Sequence, residues 1–191
     1  MAKAWIENNS IFITTDKTIA PANAVDVPDN ITPQDLVIEK DGTLRLKTDT
    51  EKLQDKKQEL LNQLPTKTQE YILKHYPTIK QQSDISDKEN AESYLALQGL
   101  DIVALRKDIA NLTLTNYPDF QTALDTLLKK YNSSNQYVNY WLTQALKVAF
   151  RNYFAFLVKQ EYNFMRQVIE NAKTIQDLPQ IEFKTQFPIG L

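Results

Sequence analysis

The chain of 191 residues carries 22 basic against 24 acidic side chains, a net charge of −2, with no cysteine, one histidine and three glycines. Without a thiol, disulfides, iron–sulfur clusters, cysteine–zinc sites and thiol nucleophiles are excluded, and a lone His75 leaves a transition-metal site short of ligands. Gly42, Gly99 and Gly190 are too scattered for a phosphate-cradling loop, and the charge balance gives no overall positive field for nucleic acid.

In chain order, the N-terminal residues lack an apolar run of signal-peptide length. No segment reaches the roughly 20 predominantly apolar residues of a spanning helix, so neither secretion nor membrane insertion is expected. Trp5-Ile6 and Ile11-Phe12-Ile13 flank the polar cluster Asn8-Asn9-Ser10, the pattern of a short hairpin. A second hairpin turns at Lys40-Asp41-Gly42. A two-residue loop there sets Ile38 opposite Arg45, mixing apolar with charged partners. A three-residue loop with Gly42 left-handed pairs Ile38 with Leu44 and Leu36 with Leu46, which keeps one apolar face and is preferred.

From Thr48 onward helix-start patterns recur as Ser/Thr-x-x-Glu/Gln: Thr48 with Glu51, Thr66 with Gln69, Ser86 with Glu89, and Ser133 with Gln136. A further start is expected at Tyr117-Pro118. Helices are therefore predicted over 49–63, 66–76, 86–113, 118–131 and 134–173, with Lys80–Asp84 as a flexible link. Ala91, Leu95, Ile102, Leu105, Ile109 and Leu112 form one buried stripe, and Phe120, Leu124, Leu127 and Tyr131 another. After Lys173 the alternation of Ile181, Phe183, Thr185 and Phe187 reads as an extended arm or lone strand. The expected class is α+β: a β-rich module over 1–48, a helical bundle over 49–173 ending in one long helix, and an extended tail over 174–191.

The last helix is unusually aromatic. Val138, Trp141, Ala145, Val148 or Ala149, and Phe156 share one predicted stripe, whereas Tyr140, Lys147 and Phe154 fall elsewhere. Rings on more than one face describe either a central core helix or a surface shared with another chain. The residues singled out for partner binding are Tyr140, Trp141, Tyr153, Phe154, Phe156 and Phe164.

His75 falls at a predicted helix end, where interaction with the last carbonyls accounts for it. The acidic pairs Asp26/Asp29, Asp84/Asp87 and Glu89/Glu92 lack the density of a calcium loop, and caps near helix starts account for most of them. Lys52, Lys56 and Lys57 alternate with Glu51, Asp55 and Glu59, an ion-paired solvated face, while Lys129-Lys130 stands apart. No catalytic residue, metal ligand or cofactor site is therefore assigned.

The order Ile11-Phe12-Ile13, Pro21-Ala22-Asn23-Ala24-Val25, Asp41-Gly42-Thr43-Leu44 and a polar helix from Glu51 to Lys57 resembles the layout of tailed-phage and prophage tail fibre assembly proteins. The resemblance covers the first third of the chain. It implies a non-enzymatic, tail-associated chaperone or virion component acting through protein contacts or self-association, in a bacterial cytoplasm or a virion. A small helical binding module with an aromatic-lined apolar pocket is the competing expectation.

Overall fold

A computed structural model describes residues 1–191. The architecture is α+β, with five short strands followed by five helices. Two units divide the chain: residues 1–60 with 171–178, and residues 61–170 with 179–191.

In the first unit, β1 (Ala2–Glu7) pairs antiparallel with both β2 (Ser10–Thr14) and β3 (Val25–Val27). Asn8 and Asn9 both take positive φ, 50° and 61°, which is the twist a two-residue hairpin needs. The second hairpin joins β4 (Leu36–Ile38) to β5 (Leu44–Leu46) in the expected register, Ile38 opposite Leu44 and Leu36 opposite Leu46. Gly42 sits at φ +83°, where any Cβ would strain the turn. Ala2, Ala4, Val27 and Leu36 bury together beneath Ile11, Ile13, Ile31 and Leu44.

The helical part starts at α1 (Asp49–His75). Its first turn carries the expected capping box: Thr48 N–H donates to Glu51 Oε2 at 2.8 Å, and Glu51 N–H to Thr48 Oγ1 at 3.2 Å. Arg45 also grips Glu51 at two points, both 2.7 Å, and reaches Glu39. These donors, Arg45 first and then Thr48, hold the Glu51 carboxyl down at about 2. Lys47 and Lys52 pair with Asp55 and Asp35. Such links tie the start of α1 to the strands, so the first unit extends to residue 60 rather than ending at 48.

Three boundaries differ from the expected ones. The predicted helices 49–63 and 66–76 are one helix running through Pro65, because Leu64, Thr68 and Ile72 all bury on one side and packing outweighs the lost hydrogen bond. The segment expected as a flexible link lies inside α2 (Thr78–Leu97). The predicted helix 86–113 is broken at Gly99, φ +84°, where Leu100 N–H donates to Leu95 O and Gly99 N–H to Ala96 O, a Schellman ending. Asp101 then caps α3 (Ile102–Asn116) by accepting from the N–H groups of Val103 and Ala104.

Asp119, not proline, caps α4 (Phe120–Tyr131), and Asn135 accepts from Tyr137 N–H as α5 (Gln136–Asn171) begins. At about 1.5 Å per residue, α5 is on the order of 54 Å long. No helix is long and apolar enough to cross a membrane. The predicted stripe of α2 and α3 faces the core, where Ala91, Leu95, Leu105 and Ile109 bury against Leu127, Leu142 and Leu146. Of the tail expected to be extended over 174–191, residues Ile175–Asp177 form a 3-10 turn within the first unit; residues 179–191 are extended, join neither sheet and are seated on helices of the second unit.

Candidate functional site

The face of α5 that meets α2 and α3 combines a buried charge cluster with an open apolar cleft. Arg151 is the one charged residue between Val148 and Val158 of α5 and is only 8% exposed; Asp84, on α2, is 1% exposed. An isolated charge at either position would be strongly disfavoured, so each needs the other. Arg151 Nη1 donates to Asp84 Oδ1 at 2.6 Å, Lys80 Nζ lies 2.8 Å from the same oxygen, and the Tyr76 hydroxyl donates to Asp84 Oδ2 at 2.8 Å. The same hydroxyl lies 3.1 Å from Asn152 Oδ1.

Burial alone would raise the Asp84 carboxyl. The hydrogen bonds from Lys80, Arg151 and Tyr76 outweigh it and hold the group below the usual carboxylate range. Burial, and then the bond to Asp84, pushes the Tyr76 phenol well above its ordinary value. Both Asp84 oxygens are engaged, so the cluster clamps α2 and the end of α1 to α5. The expectation that Asp84 and Asp87 serve a helix start is corrected: Asp84 lies inside α2 and is a buried ion-pair partner.

Beside this clamp, a cleft of about 310 Å³ opens between α2, α3 and α5. Leu105, Ile109 and Val148 line it, with Ala110, Ala145 and Ala149 leaving room. Glu92 and Arg106 close one rim through a two-point ion pair at 2.9 and 2.6 Å. Sharing Ala110, Ala149 and Asn152, a second hollow of about 330 Å³ continues toward Leu114, Tyr153 and Phe156. Where an aromatic-lined pocket is expected, the first hollow is lined by aliphatic and alanine side chains, and the rings of Tyr153 and Phe156 line only the second.

The predicted partner-binding residues divide. Tyr140 is exposed, as are Phe156 at 50% and Phe164 at 67%. Trp141 is half-buried against Tyr94 and Tyr140, and Tyr153 stacks on Phe156 at 5.8 Å. Phe154 is corrected: at 0% exposure it has no surface to offer, and it packs against Tyr71, His75 and Phe187. The expected stripe is inverted at this point, with Phe154 inside and Phe156 outside.

His75 ends α1, as expected, and is enclosed by Tyr71, Phe154 and Phe187. Lys56 and Lys130 pair with Glu59 and Asp108, each at 2.6 Å, so the basic residues there belong to solvated ion pairs. Sequence reasoning missed the Asp84–Arg151 clamp; a single charge inside an apolar helical stretch was the signal that asked for a buried partner. No family model, curated protein or solved structure matches the chain.

Proposed function

We propose that the protein is a non-enzymatic component that works by gripping another polypeptide, a phage-type structural or assembly protein of the tail-associated kind its N-terminal third resembles. One observation carries this reading. Leu114 on α3 and Phe156 on α5 are large apolar side chains, both exposed, that line the second hollow together with the small Ala110 and Ala149. A groove of this kind, apolar with small residues in its lining, suits the apolar face of a partner helix.

A photo-crosslinking residue placed at position 156 tests it in extracts of the source. Adducts with a tail or tail-fibre protein are expected from 156 and not from the exposed control position Lys17. Adducts of equal yield from both positions, or none from 156, count against the reading.

The cleft of about 310 Å³ favours a second reading, a helical binding module for a small apolar ligand, since it lies at the lower end of ligand-pocket sizes. In that case a panel of apolar ligands raises the unfolding temperature, and Ala149→Leu, which narrows the cleft, abolishes the rise. A flat response across the panel removes this alternative.

A further inference from the structure

Residues 179–191 are seated on the helices as a peptide is seated in a receptor groove. Ile181, Phe183, Thr185 and Phe187 are half-buried, while Glu182, Lys184 and Gln186 between them are exposed. Phe183 stacks on Tyr71 at 5.2 Å. Phe187 stacks on His75 at 5.6 Å and meets Phe154 edge-on at 5.2 Å.

The groove also holds the segment's backbone, and does so with side chains. The Tyr71 hydroxyl donates to the Thr185 carbonyl at 2.7 Å, and the Tyr117 hydroxyl donates to that of Gln186. The Glu161 carboxylate accepts the Lys184 N–H at 3.2 and 3.1 Å. At the far end, Ile189 N–H donates to Pro118 O at 2.8 Å. Backbone contacts set the extended shape and two aromatic sockets set the spacing, the division of labour found where extended peptides are recognised.

We propose that this groove is a binding site for an extended Phe-x-x-x-Phe segment, and that it accepts residues 179–191 of a second copy of this chain. The pattern that fits both sockets and all four backbone contacts is carried by this chain's own C-terminal segment, and every copy has it. Exchange between copies re-forms the same contacts, so no interaction is lost. What opposes it is the advantage of the tethered segment, an effective concentration on the order of millimolar. Exchange therefore sets in where copies are crowded together, as in an assembly. The inference rests on different residues from the α3–α5 hollow and stands apart from the function proposed above.

The test is a labelled synthetic peptide of residues 179–191 titrated into the full-length chain and into its Phe183→Ala/Phe187→Ala variant, read by fluorescence anisotropy. The variant, whose own anchors are gone, is expected to bind about tenfold or more tightly than the unaltered chain, whose segment competes. A peptide carrying the same two alanines loses binding. A variant that is folded by circular dichroism yet ignores the peptide overturns the proposal, as does equal binding of both peptides. Small-angle X-ray scattering of the unaltered chain at about 5 mM, at or above the tethered concentration, supplies a readout without mutation. Dimers that added peptide dissolves support exchange, whereas a chain that stays monomeric, or dimers indifferent to the peptide, refute it.

Discussion

Arg151→Ala lowers the unfolding free energy by about 3–5 kcal/mol at neutral pH, because it strands the Asp84 carboxylate inside the helical unit. Lys80 remains at 2.8 Å and keeps the loss from being larger. The pH dependence carries the signature. In the unaltered protein Asp84 is held below its ordinary value, so the stability it supplies is present above about pH 3.9, the unfolded value, and is lost as pH falls through the folded value. Removing Arg151 takes away a donor, and the folded value rises. The gap between variant and parent should therefore narrow as the pH is lowered through the carboxylate range, since a protonated Asp84 no longer needs a cation.

Urea unfolding at neutral pH and in mild acid measures this directly. The double variant Asp84→Leu/Arg151→Met is expected to recover to within about 1–2 kcal/mol of the parent, since replacing a buried ion pair with apolar groups is far cheaper than breaking it. A single-variant loss below about 1 kcal/mol would show that the clamp is dispensable.

What the sequence discloses depends on how local the controlling interaction is. The register of the second hairpin follows from neighbouring residues, since only a three-residue turn with Gly42 left-handed keeps Leu36, Ile38, Leu44 and Leu46 on one face. The capping box of Thr48 and Glu51 is similarly local. The same pattern at Thr66/Gln69 and Ser86/Glu89 lies within α1 and α2, because Ser, Thr, Glu and Gln three apart are also ordinary occupants of an exposed helix face. Gly99 was visible, but its role as a helix end depends on Leu100 N–H reaching Leu95 O. The clamp joins residues separated by 67 positions, and the Tyr71–Thr185 contact spans 114, distances at which one sequence carries little pairing information.

The orientation of α5 departs from the expected stripe for a different reason. A single fixed face implies a constant apolar direction, yet Leu142, Leu146, Phe150, Phe154 and Val158 bury at steps of four. With 3.6 residues per turn, each such step rotates the contact line by about 40°, so the buried face walks around the helix. Its early part packs into the core with Leu105 and Leu127, and its later part against Ile72 and Tyr76. Phe154 follows that moving line and Phe156 leaves it. Half of the aromatic residues singled out from sequence, Tyr140, Phe156 and Phe164, remain exposed for that reason.

Phe154→Ala and Phe156→Ala, two residues apart on one helix, should accordingly differ by several kcal/mol. Phe154 is fully buried, its ring 5.7 Å from His75 and 5.2 Å from Phe187. Truncation leaves a cavity and removes aromatic contacts, at a cost of about 3–5 kcal/mol. Phe156 is half exposed, and its loss should stay within about 1 kcal/mol. The Phe154 cavity also opens beneath Phe187, so amide hydrogen exchange over residues 183–187 should accelerate in that variant more than over α4, whose Phe120 and Leu127 pack in the separate core cluster. Chemical denaturation and exchange together separate the two effects. A larger loss from Phe156→Ala than from Phe154→Ala would mean that α5 is turned by about half a revolution from the orientation described, since two residues advance a helix by roughly 200°.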